Sequence, residues 1–188
     1  MATAGRMATV GIPNCLVGET LIVTAGGLMA LELILKMAAA GDELPDVLSF
    51  DRRNQRWVVR QINGAWVAGR ARRLLEVRCE GGQALRCTPH HRFLTREVGW
   101  AEARELRCGV SLQGMGRGRV EGVERVMLDV PVPVYDVEVE GTHNFAVTND
   151  GSGMARPVVV HNSGAAPIRL LDSRRDTLTP AGLEITVL

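Results

Sequence analysis

From residue 47 to residue 161 the chain is a succession of short strand-forming runs broken by turn residues, preceded by one stretch of helix formers. That pattern points to a mostly β fold. Leu21-Ile22-Val23-Thr24 reads as a strand that Gly26-Gly27 ends. Residues 29–39 are rich in Leu, Glu, Lys and Ala and predict a helix, with Gly41 as its stop. Val47-Leu48-Ser49-Phe50 and Arg56-Trp57-Val58-Val59 flank 51–55 as a hairpin, and 74–79 and 84–88 flank 80–83 as another. Residues 120–128, 134–139, 145–147 and 157–161 predict further strands. Residues 1–14 are small and polar, and 164–188 carry Pro167, Pro180 and mixed charges. Both ends read as segments outside the core.

The bulk numbers narrow the partners. A length of 188 residues suits one domain with tails. The net charge is +1 and no polybasic stripe occurs, which argues against nucleic acid and against an anionic membrane surface. Residues 1–7 lack the apolar run of a signal peptide, and the apolar stretch 28–40 is broken by Glu32 and Lys36. The expectation is a cytoplasmic monomer with no membrane partner. Cysteines stand at 15, 79, 87 and 108 with no C-x-x-C pair, so structural zinc is not expected and the thiols should stay reduced. Cys79 and Cys87 lie in alternating apolar runs and are expected to pack as small hydrophobes.

The chemistry-bearing residues are ordinary one at a time. Cys15 alone reads as a buried thiol. Thr88-Pro89-His90-His91 reads as a turn at a strand end; adjacent histidines on a strand point to opposite sides and do not chelate one ion. Asp136 could cap a turn, and His143-Asn144 and His161-Asn162 could be polar loops. Taken together they have a chemistry. The Cys15 thiol can attack the carbonyl of Asn14, Asn162 can cyclise through its own amide, and Ser163 offers a hydroxyl to accept an acyl group. Each step is an acyl transfer within one chain, so no cofactor is required.

The ordered motifs are Cys15-Leu16-Val17-Gly18-Glu19-Thr20-Leu21-Ile22, then Leu85-Arg86-Cys87-Thr88-Pro89-His90-His91-Arg92-Phe93-Leu94-Thr95. After them come Val134-Tyr135-Asp136-Val137-Glu138-Val139-Glu140-Gly141-Thr142-His143-Asn144-Phe145 and Val158-Val159-Val160-His161-Asn162-Ser163. This series resembles an intein, a self-splicing domain of the Hint fold, over residues 15–162. Gly99-Trp100 with Ala103, Leu106 and Gly109 is similar to a further family segment. Two features depart from the family: Val110 stands where an acidic residue is common, and 149–156 is long and Gly-rich.

The resemblance implies a compact β horseshoe with one short helix near the N-terminus, bringing residue 15 beside residue 162. It divides the chain into an N-terminal flank, 1–14, the self-splicing domain, 15–162, and a C-terminal flank, 163–188. It implies that His91 donates to the Asn14–Cys15 nitrogen and Thr88 binds the backbone around that bond. It further implies that Asp136 shuttles a proton between the nucleophiles Cys15 and Ser163, and that His143 and His161 assist Asn162. Residues 96–133 are too short for a nuclease domain, so a minimal form without DNA binding or magnesium is expected. The competing expectation is a bacterial intein-like Hint domain that releases its flanks without joining them.

Overall fold

The computed structural model describes residues 14–116, 118–151 and 156–162. The flanks 1–13 and 163–188, Ser163 among them, and residues 152–155 of the Gly-rich stretch lie outside the described residues.

The chain opens with β1 (Leu16–Val17), β2 (Leu21–Thr24) and β3 (Gly27–Ala30), then α1 (Leu31–Ala40). The expected helix therefore starts later than the helix formers suggest. Met29 and Ala30 are taken by the β2–β3 hairpin, where Met29 faces Ile22 and Ala30 faces Leu21. Cross-strand pairing outweighs the mild helical preference of these two residues. At the other end Gly41 takes a left-handed φ of 77° and its N–H meets the Ala38 carbonyl, which closes the helix.

The remaining elements are β4 (Asp46–Asp51), β5 (Arg56–Cys79), β6 (Gln83–Cys87), β7 (Arg92–Thr95) and β8 (Gly99–Glu102). A 3₁₀ turn (Ala103–Glu105), β9 (Ser111–Leu112), β10 (Gly118–Val139), β11 (Asn144–Thr148) and β12 (Val158–His161) complete the set. Both expected hairpins are present, β4–β5 and β5–β6. β5 and β10, however, are single strands of 24 and 22 residues. The segments expected as separate short strands fuse because β5 and β10 pair with each other along their length. The irregularity between Met127/Arg73 and Val132/Ala71 accommodates Pro131, which has no N–H to give the ladder.

The sheet runs β11-β12-β7-β9-β10-β1-β6-β5-β4-β2-β3, and β11 also pairs with β2, so the path returns on itself. The architecture is mostly β, built on one large antiparallel sheet with a single α-helix among the described residues. The main core includes Leu16, Ile22, Leu31, Ile34, Phe93, Phe145 and Val160, with Cys79 and Cys87 buried among them. A second apolar cluster joins Cys15 and Val17 to Ala71, Leu74 and Val134. Among the described residues no helix is long and apolar enough to cross a membrane.

Candidate functional site

β1 lies between β6 and β10, and that position surrounds Cys15. Leu16 faces Tyr135 and Val17 faces Val134, so continuation of the register sets Cys15 across from Asp136. On the other side the Cys15 N–H donates to Thr88 Oγ1 at 3.0 Å, and the Thr88 N–H donates to the Cys15 carbonyl at 2.9 Å. Asp136 in turn faces Trp66 on β5. Directly opposed residues of neighbouring strands share a face. Cys15, Asp136 and Trp66 therefore form one row, with Thr88 at its end. Leu16 and Cys87 belong to the opposite face, in keeping with the separate clusters that hold Cys15 and Cys87.

Cys15 is fully buried, and burial raises its pKa, with the Asp136 carboxylate and then Cys87 adding to the shift. At rest the thiol is protonated. Asp136 is itself buried, with one carboxylate oxygen accepting the Val137 N–H at 2.9 Å.

Thr88 to His91 is a tight turn, closed by the His91 N–H donating to the Thr88 carbonyl at 3.0 Å. The 3₁₀ turn grips it from behind: Ala103 N–H donates to the His91 carbonyl at 2.7 Å and Arg104 N–H to that of Pro89 at 3.1 Å. The two histidines do point apart, but the cause is this turn and not the strand alternation expected from sequence. His90 is exposed, with Nδ1 3.1 Å from Glu102 Oε2. His91 is buried, edge-on to Phe93 at 5.5 Å between centroids. Burial pushes the His91 pKa down to about 3; the Asn14 backbone opposes the shift and the neighbouring His161 ring adds to it. The Asn14 backbone thus lies against the ring, although neither ring nitrogen completes a hydrogen bond. His91 is neutral at pH 7 and has an open nitrogen.

The C-terminal residues arrive on β12. Val160 faces Phe93 on β7 and Phe145 on β11, which carries His161 and Asn162 toward the His91 turn. His161 stands edge-on to Trp100 at 4.8 Å, and the Arg52 guanidinium lies over that indole at 5.6 Å. Burial lowers the His161 pKa, followed by the charge of Arg92; the Asn162 backbone opposes, and His143 and Arg52 add smaller contributions. Asn162 is fully buried and its backbone N–H donates to the His143 carbonyl at 3.1 Å. His143 meets Asn162 through that carbonyl; its ring is exposed.

Among the described residues neither Asn162 Oδ1 nor Nδ2 has a hydrogen-bond partner, and His161 Nδ1 and both nitrogens of His91 share that condition. Buried polar atoms in folded proteins are almost always paired, and each orphan costs on the order of 1–3 kcal/mol. Outside this cluster the same condition occurs at Gln83 Nε2 among the described residues. Such a concentration is what groups reserved for a reaction look like. Among the described residues no group of three or more His, Cys, Asp or Glu is arranged to hold a metal ion.

Of the residues singled out from sequence, Asn14, Cys15, Thr88, His91 and Asp136 gather around β1, and His143, His161 and Asn162 gather at the end of β12. The electrostatic coupling of His91 with His161 joins the two groups. Ser163 lies outside the described residues. Sequence reasoning left Trp66, Ser49 and Asn144 without a role. Asn144 carried a signal, being an amide at the mouth of the apolar run Phe145-Ala146-Val147.

No family model matches the chain, and no curated protein matches it. Solved structures do. The bacterial intein-like domain from Clostridium thermocellum superposes with a TM-score of 0.67 at 28% identity, covering 79% of this chain and 99% of that one. A DnaB intein from Synechocystis gives 0.64 at 19% identity, covering 79% and 98%. The DnaX mini intein from Spirulina platensis gives 0.61 at 23% identity, covering 79% and 100%. The last two likenesses speak for the fold alone.

Proposed function

This chain being an intein-type Hint domain, we propose that it excises its own segment 15–162 by protein splicing and joins residue 14 to residue 163. The observation that carries this reading is the grip on the Asn14–Cys15 peptide, whose nitrogen donates to Thr88 Oγ1 at 3.0 Å. An acyl shift needs the leaving nitrogen held in place.

In the first step the Cys15 sulfur adds to the Asn14 carbonyl and the C–N bond breaks, giving a thioester and a free amine. The thiol loses a proton and the departing nitrogen gains one, so the step balances within the chain. His91, neutral and with an open nitrogen, carries that proton. Because burial and Asp136 hold Cys15 protonated at rest, the thiolate forms only in transit.

Ser163 then attacks the thioester. Its hydroxyl proton passes by way of Asp136, the cross-strand neighbour of Cys15, to the leaving thiolate. Next, Asn162 Nδ2 attacks its own carbonyl carbon, the bond to Ser163 breaks, and a succinimide remains. Of His143 and His161, one accepts a proton from the Asn162 amide and the other polarises the carbonyl, while the departing Ser163 nitrogen takes up a proton to leave as an amine. An O-to-N shift converts the ester joining the flanks into a peptide bond.

A second reading, release of both flanks without joining, is favoured by the 28% identity to a domain described as bacterial intein-like. Intact-mass analysis of the purified chain over hours separates the two. A product reading Asn14 directly into Ser163 means splicing; two separate flanks mean cleavage. Under splicing, Ser163→Ala abolishes the joined product while hydroxylamine still releases 1–14.

A further inference from the structure

The splicing scheme leaves one feature of the C-terminal site unexplained. Asn144 is buried, yet every polar atom of its side chain is engaged. Its Oδ1 accepts from Ser49 Oγ at 3.0 Å and from the Phe50 N–H at 2.9 Å. Its Nδ2 donates to the Phe50 carbonyl at 3.1 Å and to the Thr142 carbonyl at 2.8 Å. Ser49 Oγ also meets Thr142 Oγ1 at 2.6 Å. A buried amide with this many partners is a rigid link between β4 and the turn entering β11.

The turn it holds contains His143, which has a left-handed φ of 52°. A non-glycine residue keeps that conformation only where its surroundings impose it. The consequence falls on Asn162, because the His143 carbonyl takes the Asn162 N–H at 3.1 Å. Asn144 itself stands opposite His161 in the β11–β12 register. Cyclisation requires Asn162 Nδ2 to approach its own carbonyl carbon along a narrow path. Since the side-chain amide has no partner of its own, its aim depends on how the backbone is held.

We infer that Asn144, locked by Ser49 and the Phe50 backbone, is a positioning residue for C-terminal scission, acting through the strained His143 carbonyl on the Asn162 backbone. The inference rests on the splicing reading, in which Asn162 cyclises. It assigns no role to the clamp in the first step, because Cys15, Thr88 and Asp136 are held by β1, β6 and β10, which do not pair with β4.

The test uses the full chain in two backgrounds. With Cys15→Ala, only scission after Asn162 proceeds; with Asn162→Ala, C-terminal scission is blocked while thioester formation proceeds, read as release of 1–14 by dithiothreitol. Ser49→Ala and Asn144→Asp are introduced separately into each. The expected result is C-terminal scission slowed by at least about tenfold, with release of 1–14 unchanged. Ser49→Ala deletes one hydroxyl and keeps the comparison readable if Asn144→Asp fails to fold. Equal slowing in both backgrounds would mean general loosening, and undiminished C-terminal scission would mean the clamp is irrelevant; either overturns the inference. If the Cys15→Ala parent never cleaves after Asn162, the splicing reading itself falls, and this inference with it.

Discussion

At the scale of single residues, the site depends on burial changing what each group can do. His91 and His90 are neighbours in sequence, but only the first is dry. We expect His91→Ala to slow thioester formation by roughly a hundredfold, the usual reach of a positioned acid–base group. His90→Ala should be nearly silent, because its contact with Glu102 is an exposed pair. Dithiothreitol release of 1–14 in the Asn162→Ala background measures both, and the reverse ranking would reassign the proton carrier. The same burial has a stability consequence. His91 has a folded pKa of about 3 against an ordinary 6.5, so between those values the unfolded chain binds a proton that the native state refuses. Stability must therefore fall as the pH drops from 6.5 toward 3, by up to about 1.4 kcal/mol per pH unit for this one group. His161, also lowered, acts in the same direction. Urea midpoints at pH 7, 5.5 and 4.5 test this, and His91→Gln should flatten the dependence.

At the scale of elements, local signals governed short pieces and long-range pairing governed the rest. The stop of α1 is local: Gly41 has φ 77°, and a Cβ there would meet nothing within 4 Å. Gly41→Ala should therefore cost only the strain of a left-handed residue, about 1–2 kcal/mol. The prediction is a lower urea midpoint with unchanged rates of both scissions well below the unfolding transition. A rate change would show that α1 communicates with the site. β10 is the opposite case. Pro131 and Pro133 interrupt any local reading of a strand, yet the element continues, because β5 pairs with it on both sides of the break, from Val120 to Met127 and again from Val132 to Val139.

At the scale of the whole molecule, strands from distant parts of the chain interlock. β5 pairs along β10, β1 is inserted between β6 and β10, and β2 meets β11. The exposed Gly81-Gly82 turn joins β5 to β6 without contributing to that interlock. A chain carrying a protease site there should remain one particle after nicking, with both fragments eluting together until denaturant is added. Separation on nicking alone would mean that the β5–β10 ribbon is too weak to hold the halves.

Much of this protein was legible in its sequence. The mostly β class, the hairpins at 51–55 and 80–83, the stop at Gly41 and the packing of Cys79 and Cys87 follow from turn chemistry and alternation, which act over a few residues. Cys15, His91, Asp136 and Asn162 were singled out from the sequence by residue type and order, and the fold sets Cys15 beside Thr88 and Asp136 and Asn162 beside the His143 backbone. Three things were decided only in the folded chain. The fusion of short runs into β5 and β10 depends on partners far away in sequence. The orientation of His90 and His91 depends on a turn that the 3₁₀ segment pins from behind. The contacts of Asn144 with Ser49 and of Trp100 with His161 depend on side chains that different elements bring together. Sequence spacing determines what one residue does to its near neighbours. Burial, register and the pKa of a histidine are properties of the company it keeps, and that company is assembled only by tertiary structure.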